Sequence, residues 1–392
     1  MQAFLTALFW AGLTIVGYTY VGYGILIYIL SKSKTKPAFS SPPDAQLPEV
    51  SLVVAAYNEE DFIRQKVRNS LELNYPKEKL QLIFVTDGST DHTSEIVKEY
   101  PAIRLFHERE RRGKIHAVNR VMKEITTPIT VFCDANTYLN PDAIRNLVRH
   151  FADPSVGGVA GEKKIVSKES DNASGAGEGL YWKYESFLKR KDAEVHSVVG
   201  AAGELFAIRT NLYEPPPPDM IIEDFYLSLR VAAKGFRFAY EPDAFARETA
   251  SASVEEEWKR KVRICAGGFQ AMARLVYLLN PFRYGILSFQ YISHRVLRWT
   301  LAPLSLLVIL ISNLYLALTG YPLYQALLIL QLGFYVIAIA GWLLRNRKVN
   351  IKGFFVPYYF SVMNAAVYAG FIRYVRNRQS VVWERAKRAE LT

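Results

Sequence analysis

Several short stretches of this 392-residue chain put carboxylates, amides and cations where chemistry, rather than packing, has a use for them. Asp134 ends an apolar run in VFCDANTYLN, and Asn136 follows two residues later. A carboxylate at the tip of a buried strand is costly unless it is paired, hydrogen-bonded or bound to a metal ion. Mg²⁺ or Mn²⁺ held by one or two carboxylates, with phosphate and water completing the shell, suits such a place. Asn136 would add a neutral oxygen ligand or a hydrogen bond to a sugar. Asp87 closes a second apolar run in VTDGSTDHT. There Asp91 reads as a helix cap. Asp87 reads either as part of that turn or as an acceptor for a base or ribose, beside a helix N-terminus that favours anions.

Three further groupings complete the set. Arg111-Arg112-Gly113-Lys114 opens a helix, where a Gly–Lys pair can meet a diphosphate or form a solvated basic turn. Ile221-Ile222-Glu223-Asp224 precedes FYLSLRVAAKG, and the helix dipole stabilises both carboxylates there. Neighbours on a helix point different ways, so one acts as a base while the other makes structural bonds. Arg260 and Arg263, in EEEWKRKVRICA, share a helix face. Guanidinium forks of this kind bind phosphates bidentately.

The elements that must position these residues follow a regular alternation. Strands are expected at Glu49–Tyr57, Leu80–Thr86, Ile103–His107 and Ile129–Cys133. Helices are expected at Glu60–Leu71, near Asp91, and at Lys114–Ile125. This spacing predicts an α/β fold with a parallel-rich sheet flanked by helices. In such sheets ligands bind beyond the carboxyl ends of the strands. Asn58-Glu59-Glu60, Asp87–Asp91 and Asp134–Asn136 fall at those ends. The Pro215–Pro218 run stiffens a loop before the Glu223-Asp224 helix and frames a cleft.

Apolar residues make up half of the chain but are unevenly spread. No Asp, Glu, Lys or Arg occurs from Met1 to Ser31, from Trp299 to Leu344, or from Gly353 to Ile372. A membrane span needs about 20 apolar residues. The first block holds one span and the second two, with a break at Gly320-Tyr321-Pro322. The third block is borderline, because Pro357 and Asn364 interrupt it. The first block is too long for a signal peptide and lacks a basic start. Lys32, Lys34 and Lys36 place the middle region on the cytosolic side. Full crossing by the third block would carry the basic tail to the opposite face, against the same rule. Three ways out are a re-entrant third block, an extra crossing at Tyr277–Trp299, and a tail that is an exception to the rule.

The net charge of +11 does not point to nucleic acid. From Arg345 onward there are ten Lys/Arg against two Asp/Glu, so eight of those charges sit in the membrane-proximal tail. That pattern suits anionic lipid. Cys133 and Cys265 are expected as buried thiols rather than a disulfide.

Taken together, these stretches resemble glycosyltransferase family 2, in its membrane-embedded branch of cellulose, chitin, hyaluronan and poly-N-acetylglucosamine synthases. AAYNEE, DGSTD, DAN, GELFAIR, IIED and RKVRI occur in the family's order between Glu49 and Gly268. The resemblance implies a GT-A type nucleotide-sugar-binding domain with transmembrane helices. The implied layout is a transmembrane helix at 1–31, a linker at 32–48, a cytosolic catalytic domain at 49–275, an amphipathic interfacial segment at 276–298, a transmembrane region at 299–374 and a basic tail at 375–392.

It further implies inverting sugar transfer from a nucleotide sugar, UDP-linked, to a hydroxyl of a glycan or lipid-linked acceptor at a bacterial inner membrane. Tyr57, Glu59 and Asp87 would hold the nucleotide, Lys114 would approach the diphosphate, and Asp134 would coordinate Mg²⁺ or Mn²⁺ beside Asn136. Gly203 would lie in the acceptor region. Asp224 would be the general base beside Glu223, and Arg260 and Arg263 would stabilise the leaving diphosphate. The sequence departs from the family at two motifs. Asn136 replaces the second Asp of DxD, and Arg260 and Ile264 replace the Gln and Trp of QxxRW. Polymer synthesis and transfer of one or a few sugars both stay open, as do a polyprenyl-phosphate acceptor and a non-catalytic scaffold.

Overall fold

The computed structural model describes residues 1–34, 43–166, 173–249, 254–344 and 352–380. Residues 35–42 of the expected linker, the Arg345, Arg347 and Lys348 cluster, and Arg385, Lys387 and Arg388 of the tail lie outside the described residues. The strands are β1 Val50–Ala56, β2 Leu80–Asp87, β3 Ile103–Glu108, β4 Ile129–Asp134, β5 Tyr138–Leu139, β6 Val156–Val166, β7 Leu205–Arg209 and β8 Arg237–Thr249. The helices begin with α1 Gln2–Gly17, α2 Tyr23–Lys32, α3 Glu60–Leu71, α4 Thr93–Lys98, α5 Lys114–Met122, α6 Ala143–Val148 and α7 Ala173–Val195. They continue with α8 Glu223–Ala233, α9 Val254–Arg274, α10 Pro281–Tyr291, α11 Leu297–Trp299, α12 Leu301–Leu318, α13 Pro322–Leu344 and α14 Lys352–Val375. These elements form two compact units, a sheet unit of residues 33–166 and 189–249 and a helical unit of residues 1–32, 167–188 and 250–379.

In the sheet unit eight strands run in the order β3-β2-β1-β4-β7-β6-β8-β5. β3, β2, β1 and β4 are mutually parallel. Beyond β4 the sheet turns mixed, with β7 antiparallel to β4 and to β6, β8 parallel to β6, and β5 antiparallel to β8. Every residue of β1 is buried, as a central strand covered on both faces requires. Alternate residues serve opposite cores. Leu52 and Val54 pack with Phe84, Ile63 and Val67 on the α3 side. Val53 and Ala55 pack with Ile83, Val118, Val121 and Leu227 on the side of α5 and α8. The expected parallel-rich α/β sheet is therefore present. The helix expected at Lys114–Ile125 ends at Met122. Thr126 and Thr127 before Pro128 favour extended backbone there.

In the helical unit four helices are long and apolar enough to cross a membrane: Gln2–Lys32, Leu301–Leu318, Pro322–Leu344 and Phe354–Val375. The first is α1 and α2 joined through a π-turn at Tyr18–Gly22. It runs antiparallel to α12, with Gly12 against Ile309 and Phe9 near Leu316 and Tyr324. Gly320 turns α12 into α13. Gly341, near the end of α13, lies against Phe354 and Tyr358 at the start of α14. The rest of α14 follows α9. Gly370 sits on Val262, Cys265 and Ala266, and Phe269 meets Phe371 and Tyr374. Midway, Tyr368 donates a hydrogen bond to the Pro303 carbonyl at the start of α12, and Tyr20 donates to Asn364. Both cysteines are buried free thiols. Glu185 of α7 is buried against Arg295 and Arg298. Burial opposes its ionisation, yet the two guanidiniums hold its carboxyl well below the usual carboxylate range.

Candidate active site

Register brings the chemistry to one edge of the sheet. Ala56 pairs with Thr86 and Ala55 with Asp134, so β1, β2 and β4 end side by side. The loops that follow are tied to one another. Asn58 adopts a positive φ of 51°, which Asn tolerates better than most residues. Its Oδ1 accepts from the Thr90 N–H at 2.8 Å, and its own N–H donates to Ser89 Oγ at 3.2 Å. The Glu59 N–H donates to Thr93 Oγ1 at 2.8 Å. Asp91 accepts from the N–H groups of Glu60 and Thr93, and so braces the starts of α3 and α4 together. The Tyr57 ring carries the Arg111 guanidinium 3.6 Å from its centre.

Asp87 is buried and engaged by backbone. It accepts from the Arg112 N–H at 3.0 Å and the Gly113 N–H at 2.6 Å. Gly113 has a φ of 100°, where a side chain would be strained. That bend turns the chain into α5 with Lys114 as its first residue. Lys114 Nζ then donates to Asp134 Oδ1 and pairs with Glu223 Oε1, each at 2.7 Å. The turn carrying Asp134 is fixed from below. Thr137 Oγ1 donates to the Asp134 carbonyl at 2.9 Å, and buried Lys66 donates to the Thr137 carbonyl at 2.8 Å. Asn136 is half-buried on the same turn.

Glu223 and Asp224 open α8. They stand differently toward Lys114. Glu223 pairs with it directly, and the ammonium acts on the Asp224 carboxyl as well. Gly203 completes the group. A Cβ placed on it would lie 3.5 Å from Asp224 Oδ2 and 3.6 Å from Lys114 Nζ.

The charges are unbalanced. Burial pushes the Asp134 carboxyl up, Glu204 and Glu223 add to this, and Lys114 opposes it. Burial, then Glu223, pushes Asp224 up to about 7, again against Lys114. Lys114 itself titrates above its ordinary range, because Asp134 and Glu223 outweigh its burial. Among the described residues no group of three His, Cys, Asp or Glu side chains is arranged to hold a metal ion. The donor set still fits a hard cation. Asp134 offers a carboxylate oxygen in a region of excess negative charge, which suits Mg²⁺-type binding through one carboxylate plus phosphate oxygens.

Two residues expected in the site belong to the other unit. Arg260 and Arg263 lie on α9, where Arg260 pairs with Glu257 at 3.5 Å. Three contributors are additional to the sequence reading: Glu204, Lys163 and Lys66. Lys163 is buried on β6 beyond a register shift between Gly161 and Glu162, so no local period marks it. Lys66 occupies the apolar stripe of α3 with Ile63, Val67 and Ser70, all buried. Glu204 stands next to Gly203 in GELFAIR.

Residues 51–214 match the family described as glycosyl transferase family 2, and the parallel-rich sheet with flanking helices is GT-A-like. The chain is 28% identical over 261 residues to a poly-beta-1,6-N-acetyl-D-glucosamine synthase of Staphylococcus aureus, covering 63% of this chain and 62% of that relative. The Staphylococcus epidermidis protein of the same name is 25% identical over 267 residues, covering 66% and 63%. The chain thus spans less than two thirds of the length of these relatives. A solved structure of the mannosyltransferase PcManGT from Pyrobaculum calidifontis, in complex with GDP-Man and Mn²⁺, superposes with a TM-score of 0.71. It is 22% identical, and the match covers 95% of this chain and 99% of that one.

Proposed function

We propose that this protein is a membrane-anchored inverting glycosyltransferase that moves a sugar from a nucleotide sugar, UDP-linked, to a hydroxyl of a glycan acceptor for cell-surface or exported polysaccharide. One observation carries the reading. Asp134, Lys114, Glu223, Asp224 and Gly203 converge beyond the strand ends, with Asp224 pushed up to about 7. A carboxylate poised near neutral pH is suited to take a proton from an attacking hydroxyl. Tyr57, Glu59 and Asp87 border the nucleotide side, and Asp87 serves it by holding the Arg112–Gly113 backbone. Lys114 is the cation within reach of the diphosphate. Asp134, with Asn136 beside it, would hold Mg²⁺ or Mn²⁺. A divalent ion there supplies neutralisation of charge on the departing diphosphate. Arg260 and Arg263 are proposed to add positive charge for the same leaving group.

The same reading covers the membrane. The helix α9 carries Glu255, Glu256, Glu257, Lys259, Arg260, Lys261, Arg263 and Arg274 and is too charged to cross a bilayer. As α14 follows α9, meets the start of α12 at Pro303 and packs on α13 from Gly341 back to Phe334, it is proposed to lie along the membrane face. Three crossings then remain, and both the sheet unit and the basic tail are cytosolic, as the lysine and arginine distribution favours.

The test is purified full-length protein in detergent with Mn²⁺ or Mg²⁺ and a panel of UDP- and GDP-sugars, followed by mass spectrometry. Nucleoside diphosphate release with acceptor-dependent sugar addition supports the proposal, and product length separates a processive synthase from single addition. A protein inert to the whole panel contradicts it.

A further inference from the structure

Next to the Lys114 cluster lies a second buried ammonium. Lys163 is 4% exposed on β6, the strand between β7 and β8. Its Nζ lies 2.5 Å from Glu204 Oε1, just before β7, and also pairs with Glu248 of β8. Glu204 is 8% exposed and Glu248 3%. One lysine therefore ties together carboxylates from both neighbouring strands.

Fold stability alone does not account for this arrangement. A buried ion pair is commonly no more stabilising than apolar residues of the same volume. Here two carboxylates face one ammonium, so the triad keeps a net negative charge in a dry place. Its position is informative. Glu204 adjoins Gly203, whose Cβ direction faces Asp224 and Lys114. The Glu204 charge is felt at both Asp134 and Asp224.

We propose that Lys163 is a positioning residue for sugar transfer: it fixes the place and charge of Glu204 and, through Glu204, the setting of Asp224. This inference rests on the transferase reading above. Lys163 itself touches neither of the groups assigned to proton removal and metal binding. It acts by holding a carboxylate that would otherwise swing toward Lys114. The charged groups concerned are Lys114, Asp134, Glu223 and Asp224 on one side, and Glu204 and Glu248 on the other.

The experiment compares full-length wild type, Lys163→Met and Lys163→Arg in detergent, reading kcat against pH, nucleoside diphosphate binding and melting temperature. For Lys163→Met the expected result is near-wild-type nucleotide binding, kcat lower by about 100-fold, and an acid limb moved to higher pH. Lys163→Arg is expected to restore most of the rate and the limb. Wild-type kcat and limb in Lys163→Met overturn the inference, and so does failure of arginine to rescue in a protein of wild-type melting temperature. If Lys163→Met does not fold, Glu248→Gln takes its place. It removes one of the two carboxylates that face the ammonium, so the limb should move to lower pH, and an unmoved limb overturns the inference. A wild type inert to every nucleotide sugar sinks the transferase reading and this inference with it. An active wild type with an unaffected Lys163→Met sinks this inference alone.

Discussion

Asp134 pairs with Lys114 and Asp224 feels the same ammonium, and their behaviour should differ in ways that single substitutions reveal. Burial and Glu223 raise the Asp224 carboxyl to about 7. An unfolded Asp titrates near about 3.9. Because the folded value is the higher one, the group's contribution to stability is present at acid pH and is lost as pH rises from the unfolded value through about 7. Asn cannot ionise, so Asp224→Asn should melt higher than wild type at pH 8 and close to it at pH 4. A melting difference that does not change with pH would count against the raised carboxyl. Asp134→Ala should lose most of the Mn²⁺ dependence of nucleoside diphosphate binding, read by calorimetry with and without the ion. Unchanged metal dependence would mean that another group holds it.

At the level of elements, the site depends on how loops leave the strands. Gly113, at a φ of 100°, presents its own N–H and that of Arg112 to Asp87 and aims Lys114 at Asp134. Gly113→Ala should cost about 1–2 kcal/mol of stability and weaken nucleotide binding. Wild-type values for both would show that the bend is not needed. Glu185 is held between two buried guanidiniums, and Glu185→Gln should cost about 3–5 kcal/mol, visible as a lower melting temperature in detergent. The strands and helices from Val50 to Asp134 were legible because β–α alternation is local, and each buried strand ends in an Asp or in Tyr57. The mixed half of the sheet was not legible. β5 has two residues, and the pairing of β6 with β7 and β8 joins residues some 45 to 90 positions apart. No local period reports such contacts. Lys163 was missed for the same reason, since its partners come from two different strands.

For the whole molecule, the proposed membrane arrangement makes its own prediction. Hydropathy admits four crossings, but α14 follows the charged α9. A fluorescent protein fused after Thr392 should therefore fluoresce in bacterial cells, and a secreted-phosphatase fusion at the same point should be inactive. The opposite pattern would make α14 a crossing helix. The central claim concerns the sheet unit's carboxylate. Its most direct test measures sugar transfer and nucleoside diphosphate affinity side by side in wild type and Asp224→Asn, in full-length protein with Mn²⁺. Transfer lost while affinity stays near wild type, with a wild-type rate that rises through an acid limb near pH 7, is the predicted result. Transfer retained in Asp224→Asn, or affinity lost along with it, would contradict the assignment of Asp224 as the base.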